Sequence, residues 1–283
     1  MSESTVPTGT DRVVAADVDG YRRAVRTPMS TPATVGDLAS PLYPFVLSHE
    51  LFERTVAALG AGGAAEGTPV SPVHLSQDVL VSRLVRPGEK VTVSLDVRGA
   101  RAEARGVRLA LRAVVTGEAD DLVAELATAV LLAGASRPEA FGEMPAQPAV
   151  ATPPGPVDET TVEHRLTVAT IADYARASGD LNPIHLEPAA AQAAGFPGVI
   201  AHGMSVLALV SEEVVERYAD GDPARVRGLG CRFSSPVLPD EPLRITLRHG
   251  GGAVRFSCAT PRGVALKSGW VRLATPDGVT DAA

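Results

Sequence analysis

At 283 residues, 45% apolar and 21% charged, the chain is long enough for two domains and apolar enough to bury a core. Its formal charge of -7, with arginines scattered rather than clustered, argues against a nucleic-acid or anionic-membrane partner. The two cysteines, Cys231 and Cys258, are too few for a disulfide scaffold or a metal cluster and read as small buried hydrophobes.

The first residues, MSESTVPTGTDR, lack the basic and apolar regions of a signal peptide, and no apolar run approaches the roughly 20 residues that span a bilayer. The expected location is therefore cytoplasmic. Residues 1–30 read as a flexible leader with one short helix, VDGYRRAV. Next, SHELFERTVAAL has the pattern of a helix. HLSQDVLVSRLV, KVTVSLDVRG, GVRLALRAVVTG and DLVAELATAVLLAG follow it as strands. In the second of these, Val91, Val93, Leu95 and Val97 alternate as a half-buried strand requires. The last fits a helix equally well by pattern, and only its place in the series argues for a strand.

Residues 136–158 form a Pro-rich linker that can continue neither a helix nor a central strand. Beyond it the same order returns over residues 159–275. TIADYARA reads as a helix, a short Ala-rich helix closes at Gly195, and HGMSVLALVSEEVVERY reads as an amphipathic helix. The apolar stripe of that last helix is Met204, Leu207, Ala208, Val214, Val215 and Tyr218. Four strand-like runs follow, separated by Gly, Pro and Asp turns, and residues 276–283 form a tail. The turns at Pro87-Gly88-Glu89 and Pro239-Asp240-Glu241 align at an offset of about 150 residues, so internal duplication is the simplest account. A long helix followed by four antiparallel strands buries its apolar stripe only if the sheet wraps round it, which gives an α+β protein of two paired copies.

The duplication fails at one place. SGDLNPIH, Ser178 to His185, has no counterpart in VRTPMSTPA of the first copy. Gly179, Asp180, Asn182 and Pro183 suffice for a turn, but His185 is not needed for one. Turn geometry and a catalytic Asp–His pair both account for Asp180 and Asn182. His49, His74, His164 and His249 have no partner at a telling spacing and read as surface or packing residues. Arg232, Arg244 and Arg248 fit solvated strand faces as well as they fit a phosphate site.

The segment Tyr174 to Val210, YARASGDLNPIHLEPAAAQAAGFPGVIAHGMSVLALV, resembles the signature of the MaoC-like family of (R)-specific enoyl-thioester hydratases and dehydratases. The resemblance covers residues of about 160–275 in sequence; over about 30–135 it rests on architecture. It implies a double hotdog, with a non-catalytic N-terminal copy over 31–135 and a catalytic copy over 159–275. It also implies that Asp180 and His185 hold the catalytic water, with His185 as the base and Asn182 fixing the pair. Gly203 would offer its N–H to the thioester oxygen, with His202 and Met204 beside it at the substrate. The implied substrate is an acyl thioester of coenzyme A or acyl carrier protein, handled without metal or other cofactor. A homodimer of the two-copy chain stays open. A thioesterase on the same fold and a non-catalytic thioester-binding subunit are the competing readings.

Overall fold

A computed structural model describes residues 7–31, 38–64, 70–144 and 157–274. The first copy contains β1 (Thr8–Arg12), α1 (Ala15–Arg26), α2 (Tyr43–Gly63), β2 (Ser71–Val81), β3 (Lys90–Glu103), β4 (Gly106–Thr116) and β5 (Leu122–Ala133). After the two-residue β6 (Phe141–Gly142), the second contains β7 (Asp158–Arg165), α3 (Val168–Ser178), α4 (Pro188–Ala193), α5 (Gly203–Tyr218), β8 (Val226–Phe233), β9 (Pro242–Gly250), β10 (Ala253–Thr260) and β11 (Gly263–Leu273). Residues 145–156 of the Pro-rich stretch and the whole of the expected tail lie outside the described residues.

The strands form one antiparallel sheet in the order β1-β3-β4-β5-β2-β8-β11-β10-β9-β7, with β6 pairing β3. Outward from the β2–β8 seam the two sides match strand for strand. The 152 positions separating Asp78 from Gly230, which face one another at that seam, also separate Pro87 from Pro239. An antiparallel pair in which a residue faces its own counterpart lies on a two-fold axis, so the copies are related by a pseudo-dyad through the seam. Each half-sheet wraps a long helix, α2 or α5, and the chain is a double hotdog.

DLVAELATAVLLAG is a strand: β5 pairs with both β4 and β2, and Leu126, Val130 and Leu132 are buried within it. Local pattern left this open and the neighbouring ladders decide it. Helix α5 departs from expectation in the opposite sense. Met204 through Val215 are all buried, so it has no solvated face over that stretch. The sheet covers one side, and α1 packs on another.

The expected flexible leader is corrected over residues 8–26. β1 pairs with β3, and α1 buries Val18, Tyr21 and Val25. Arg22 Nε lies 3.2 Å from Glu212 Oε2 and Arg26 Nη1 lies 2.8 Å from it, while Arg26 Nη2 reaches Glu216 at 3.0 Å. Glu212 has no exposed side-chain surface. A charge taken out of water is tolerated where opposite charges and hydrogen bonds meet it. The partners are 190 and 186 residues apart, so nothing local in the sequence announces them. On α5's next residue, His164 Nε2 meets Glu213 Oε1 at 2.8 Å, so His164 is a hydrogen-bonding group rather than mere packing.

Removing the carboxylate leaves two guanidiniums facing a buried gap. Glu212→Ala is expected to lower the unfolding free energy by about 3–5 kcal/mol, measured by denaturant titration. A loss no greater than that of an exposed Glu→Ala control would contradict this reading.

Candidate active site

Helix α3 ends where Gly179 adopts φ of 77° and its N–H returns to the Ala175 carbonyl. That left-handed residue, which glycine accepts without a Cβ clash, turns the chain sharply into the loop. Asp180 Oδ1 then accepts from the Asn182 N–H at 3.2 Å, and Asn182 Oδ1 accepts from the Ile184 N–H at 3.3 Å. The second bond caps a single 3-10 turn, Pro183–His185, opened by proline. Asn182 is thus a turn cap through its oxygen, and its amide nitrogen is the group left for any further role.

His185 is buried at the end of that turn, and its Nδ1 lies 2.8 Å from the Ile200 carbonyl. A carbonyl only accepts, so Nδ1 carries the proton and Nε2 keeps its lone pair. From the other direction His202 Nε2–H donates to the main-chain oxygen of Asp180 at 3.0 Å. The Ile200 N–H adds a bond to the Ile184 carbonyl at 3.3 Å. The loop and the entry to α5 are therefore laced in both directions. The two imidazoles stack with centroids 3.7 Å apart and planes inclined by 30°.

Polar atoms of Asp180, His185 and His202 lie within 4.8 Å of one another. His185 Nδ1 and His202 Nε2 are already committed to main-chain oxygens, which leaves one other nitrogen on each ring. Groups at this separation can share one water molecule. The Asp180 side chain remains 21% exposed, which leaves the carboxylate approachable.

Gly203 is the first residue of α5, where backbone N–H groups have no acceptor within the helix. A Cβ there would stand 2.7 Å from Cδ1 of Phe233, so only glycine fits under that ring. Met204 is 3% exposed and belongs to the apolar core. The structure thus brings together Asp180, His185 and His202, sets Asn182 in the turn beneath them, and puts Gly203 directly after His202. Met204 points to packing.

Sequence reasoning missed the other copy's contribution. His49 Nε2 on α2 lies 4.0 Å from Asp180 Oδ1. The His74 ring on β2 sits 4.6 Å from Phe233 and stacks on Phe45 at 5.9 Å. The only local hint was histidine on the apolar side of a helix or strand. Their partners are distant in sequence.

A family model described as a MaoC like domain matches residues 147–266. The chain is 30% identical over 210 residues to 3-hydroxyacyl-thioester dehydratase X of Mycobacterium tuberculosis, covering 74% of this chain and 70% of that protein. It is 35% identical over 123 residues to peroxisomal multifunctional enzyme type 2 of Drosophila melanogaster, covering 44% of this chain but only 20% of that longer protein. A crystal structure of a MaoC-like dehydratase from Phytophthora capsici superposes with a TM-score of 0.76 at 23% identity, over 95% of this chain and 96% of that one.

Burial lowers the pKa of His185 against the opposing pull of the Ile200 carbonyl and Asp180. Burial, reinforced by neighbouring His185, takes His202 down to about 4. Both rings are neutral at pH 7. In the unfolded chain each histidine binds a proton near pH 6.5. As pH falls below that value the unfolded state gains protons first, so stability is lost progressively down to the folded pKa. NMR titration of the ring nitrogens is expected to show His202 neutral to about pH 4, with His185 titrating below its ordinary range. A His202 midpoint above 6.5 would contradict the buried stack.

Proposed function

The chain belongs to the MaoC-like dehydratase family, and from that premise we propose that it adds water reversibly to trans-2-enoyl thioesters, giving (R)-3-hydroxyacyl thioesters. The observation that carries the reading is the fixed tautomer of His185: Nδ1–H is committed to Ile200, so Nε2 faces the reaction as a neutral base beside Asp180.

In the hydration direction, water is held between the Asp180 carboxylate and His185 Nε2. Nε2 takes one proton as the water oxygen bonds to C3. The C2–C3 π electrons move toward the thioester carbonyl, whose oxygen gains negative charge. The Gly203 N–H at the start of α5 meets that charge, where the helix end also favours it. The proton that His185 Nε2 took from the water is then delivered to C2 on the same face, directly or by way of Asp180, which completes a syn addition and returns His185 to its neutral form. Dehydration runs the same steps in reverse. Asn182 supports the geometry from the turn, and His202 holds the Asp180 backbone in place. No step calls on a metal or redox cofactor.

The carrier, coenzyme A or acyl carrier protein, is assigned to the boundary between the copies, where Phe233 and His74 meet beside Gly203. The N-terminal copy then shapes the acyl site. Its own loop is missing, so the reading has one catalytic centre per chain. The reaction is assigned to the cytoplasm, and no helix among the described residues is long and apolar enough to cross a membrane.

Loss of the enoyl-thioester absorbance, with chiral analysis of the product, tests the reaction directly. Asp180→Asn and His185→Ala are each expected to slow it by about 10²–10⁴-fold without unfolding the chain. Near-normal rates in both variants would remove the assignment, and release of free thiol from a saturated acyl thioester would replace it with hydrolysis.

A further inference from the structure

We propose that His49, carried by the N-terminal copy, is a positioning residue for this reaction and holds the Asp180 carboxylate by the oxygen that His202 does not approach. The inference rests on the hydratase reading above. His49 Nε2 stands 4.0 Å from Asp180 Oδ1, while His202 Nε2 stands 4.0 Å from Oδ2. The His202 proton is already committed to the Asp180 main chain, which leaves His49 as the imidazole free to serve the carboxylate.

The His49 side chain is nine-tenths buried, and its Nδ1 has no hydrogen-bond partner among the described residues. A neutral imidazole has one N–H. With a carboxylate facing Nε2 and nothing facing Nδ1, the favoured tautomer places it on Nε2, toward Asp180. The gap exceeds a hydrogen bond, and a small side-chain rotation or one bridging water closes it. Phe45 and Phe52, one turn to either side, pack with this face, with Phe45 6.0 Å from His49 and 6.4 Å from Phe52.

The two central helices differ in length, 21 residues in α2 and 16 in α5. The surplus lies at the N-terminal end, where α2 begins five residues ahead of α5 when the helix C-termini set the register and eight when the seam does. Those residues are about one to two turns of helix. They extend the N-terminal copy's central helix to the loop of the other copy. The copy that lacks the Asp/Asn/His loop thus contributes a side chain to the loop that remains.

The experiment compares His49→Gln, His49→Asn and His49→Ala in the full chain. The Gln amide nitrogen reaches about where Nε2 stands and can donate, whereas the Asn amide sits at the Nδ1 position. A hydrogen bond to a charged group predicts about a tenfold fall in kcat for His49→Ala and His49→Asn, little change in KM, and recovery in His49→Gln. The groups around the carboxylate are His185, His202 and Tyr174 from its own copy, and His49, Glu53 and His74 from the other. Losing a donor to the charged form raises a carboxylate pKa, so the acidic limb of kcat moves to higher pH in His49→Ala. In an Asp180→Asn background, His49→Ala should have less than about a twofold further effect, since the two act as a unit. Equal losses in the Gln and Asn variants, or full additivity with Asp180→Asn, overturn the inference while leaving the hydratase reading intact. Absence of hydration by the unaltered chain overturns both.

Discussion

The bond from His185 Nδ1–H to the Ile200 carbonyl is the constraint on which the site depends. It fixes a tautomer, an orientation and a place at once. Ile200 stands two residues before His202 and three before α5, so the same bond ties the loop to the helix entry. The return bond from His202 to Asp180 closes the arrangement. Burial then keeps both rings neutral, which a base near neutral pH requires. The dryness that disfavours the imidazolium also strengthens each hydrogen bond inside it.

Duplication explains how a chain with one loop supports so elaborate a site. The pseudo-dyad at the β2–β8 seam brings two copies of one architecture face to face. There Gly230 leaves room for Asp78, whose Oδ1 would meet a Cβ at 2.1 Å and instead accepts from Trp270 Nε1 at 2.9 Å. Burial raises the Asp78 pKa to about 6, with the Trp270 bond opposing. The axis residue pair is thus no longer symmetric, Asp on one side and Gly on the other. The asymmetry extends outward: one copy keeps the loop after α3, and the other has a longer central helix.

Much of this was legible in the sequence. The alternation of Val91, Val93 and Leu95 gave strand and face, and all three are buried. The mismatch between SGDLNPIH and its empty counterpart marked Asp180 and His185, which the structure brings together. Local pattern failed wherever a partner lay far along the chain. The segment that carries Arg22 and Arg26 read as a flexible leader because Glu212 was 190 and 186 residues away. Helix α5 looked amphipathic from its apolar stripe, yet its charged residues Glu212 and Glu213 are buried and paired as well. His49 looked like packing because Asp180 belongs to the other copy.

These misreadings share a cause, and it bears on how the halves cooperate. Periodicity reports which face of an element is apolar, but a buried charge is stabilised by a particular partner that periodicity cannot name. In this chain such partners repeatedly lie across the pseudo-dyad: α1 of one copy holds Glu212 of the other's central helix, and α2 brings His49 to the other's loop. Polar contacts of this kind are directional, so they fix how one copy sits on the other more narrowly than apolar burial does. A shift of the copies by even one ångström would be felt at Glu212 and at Asp180 together. The active centre lies on one half, and its geometry is held by both.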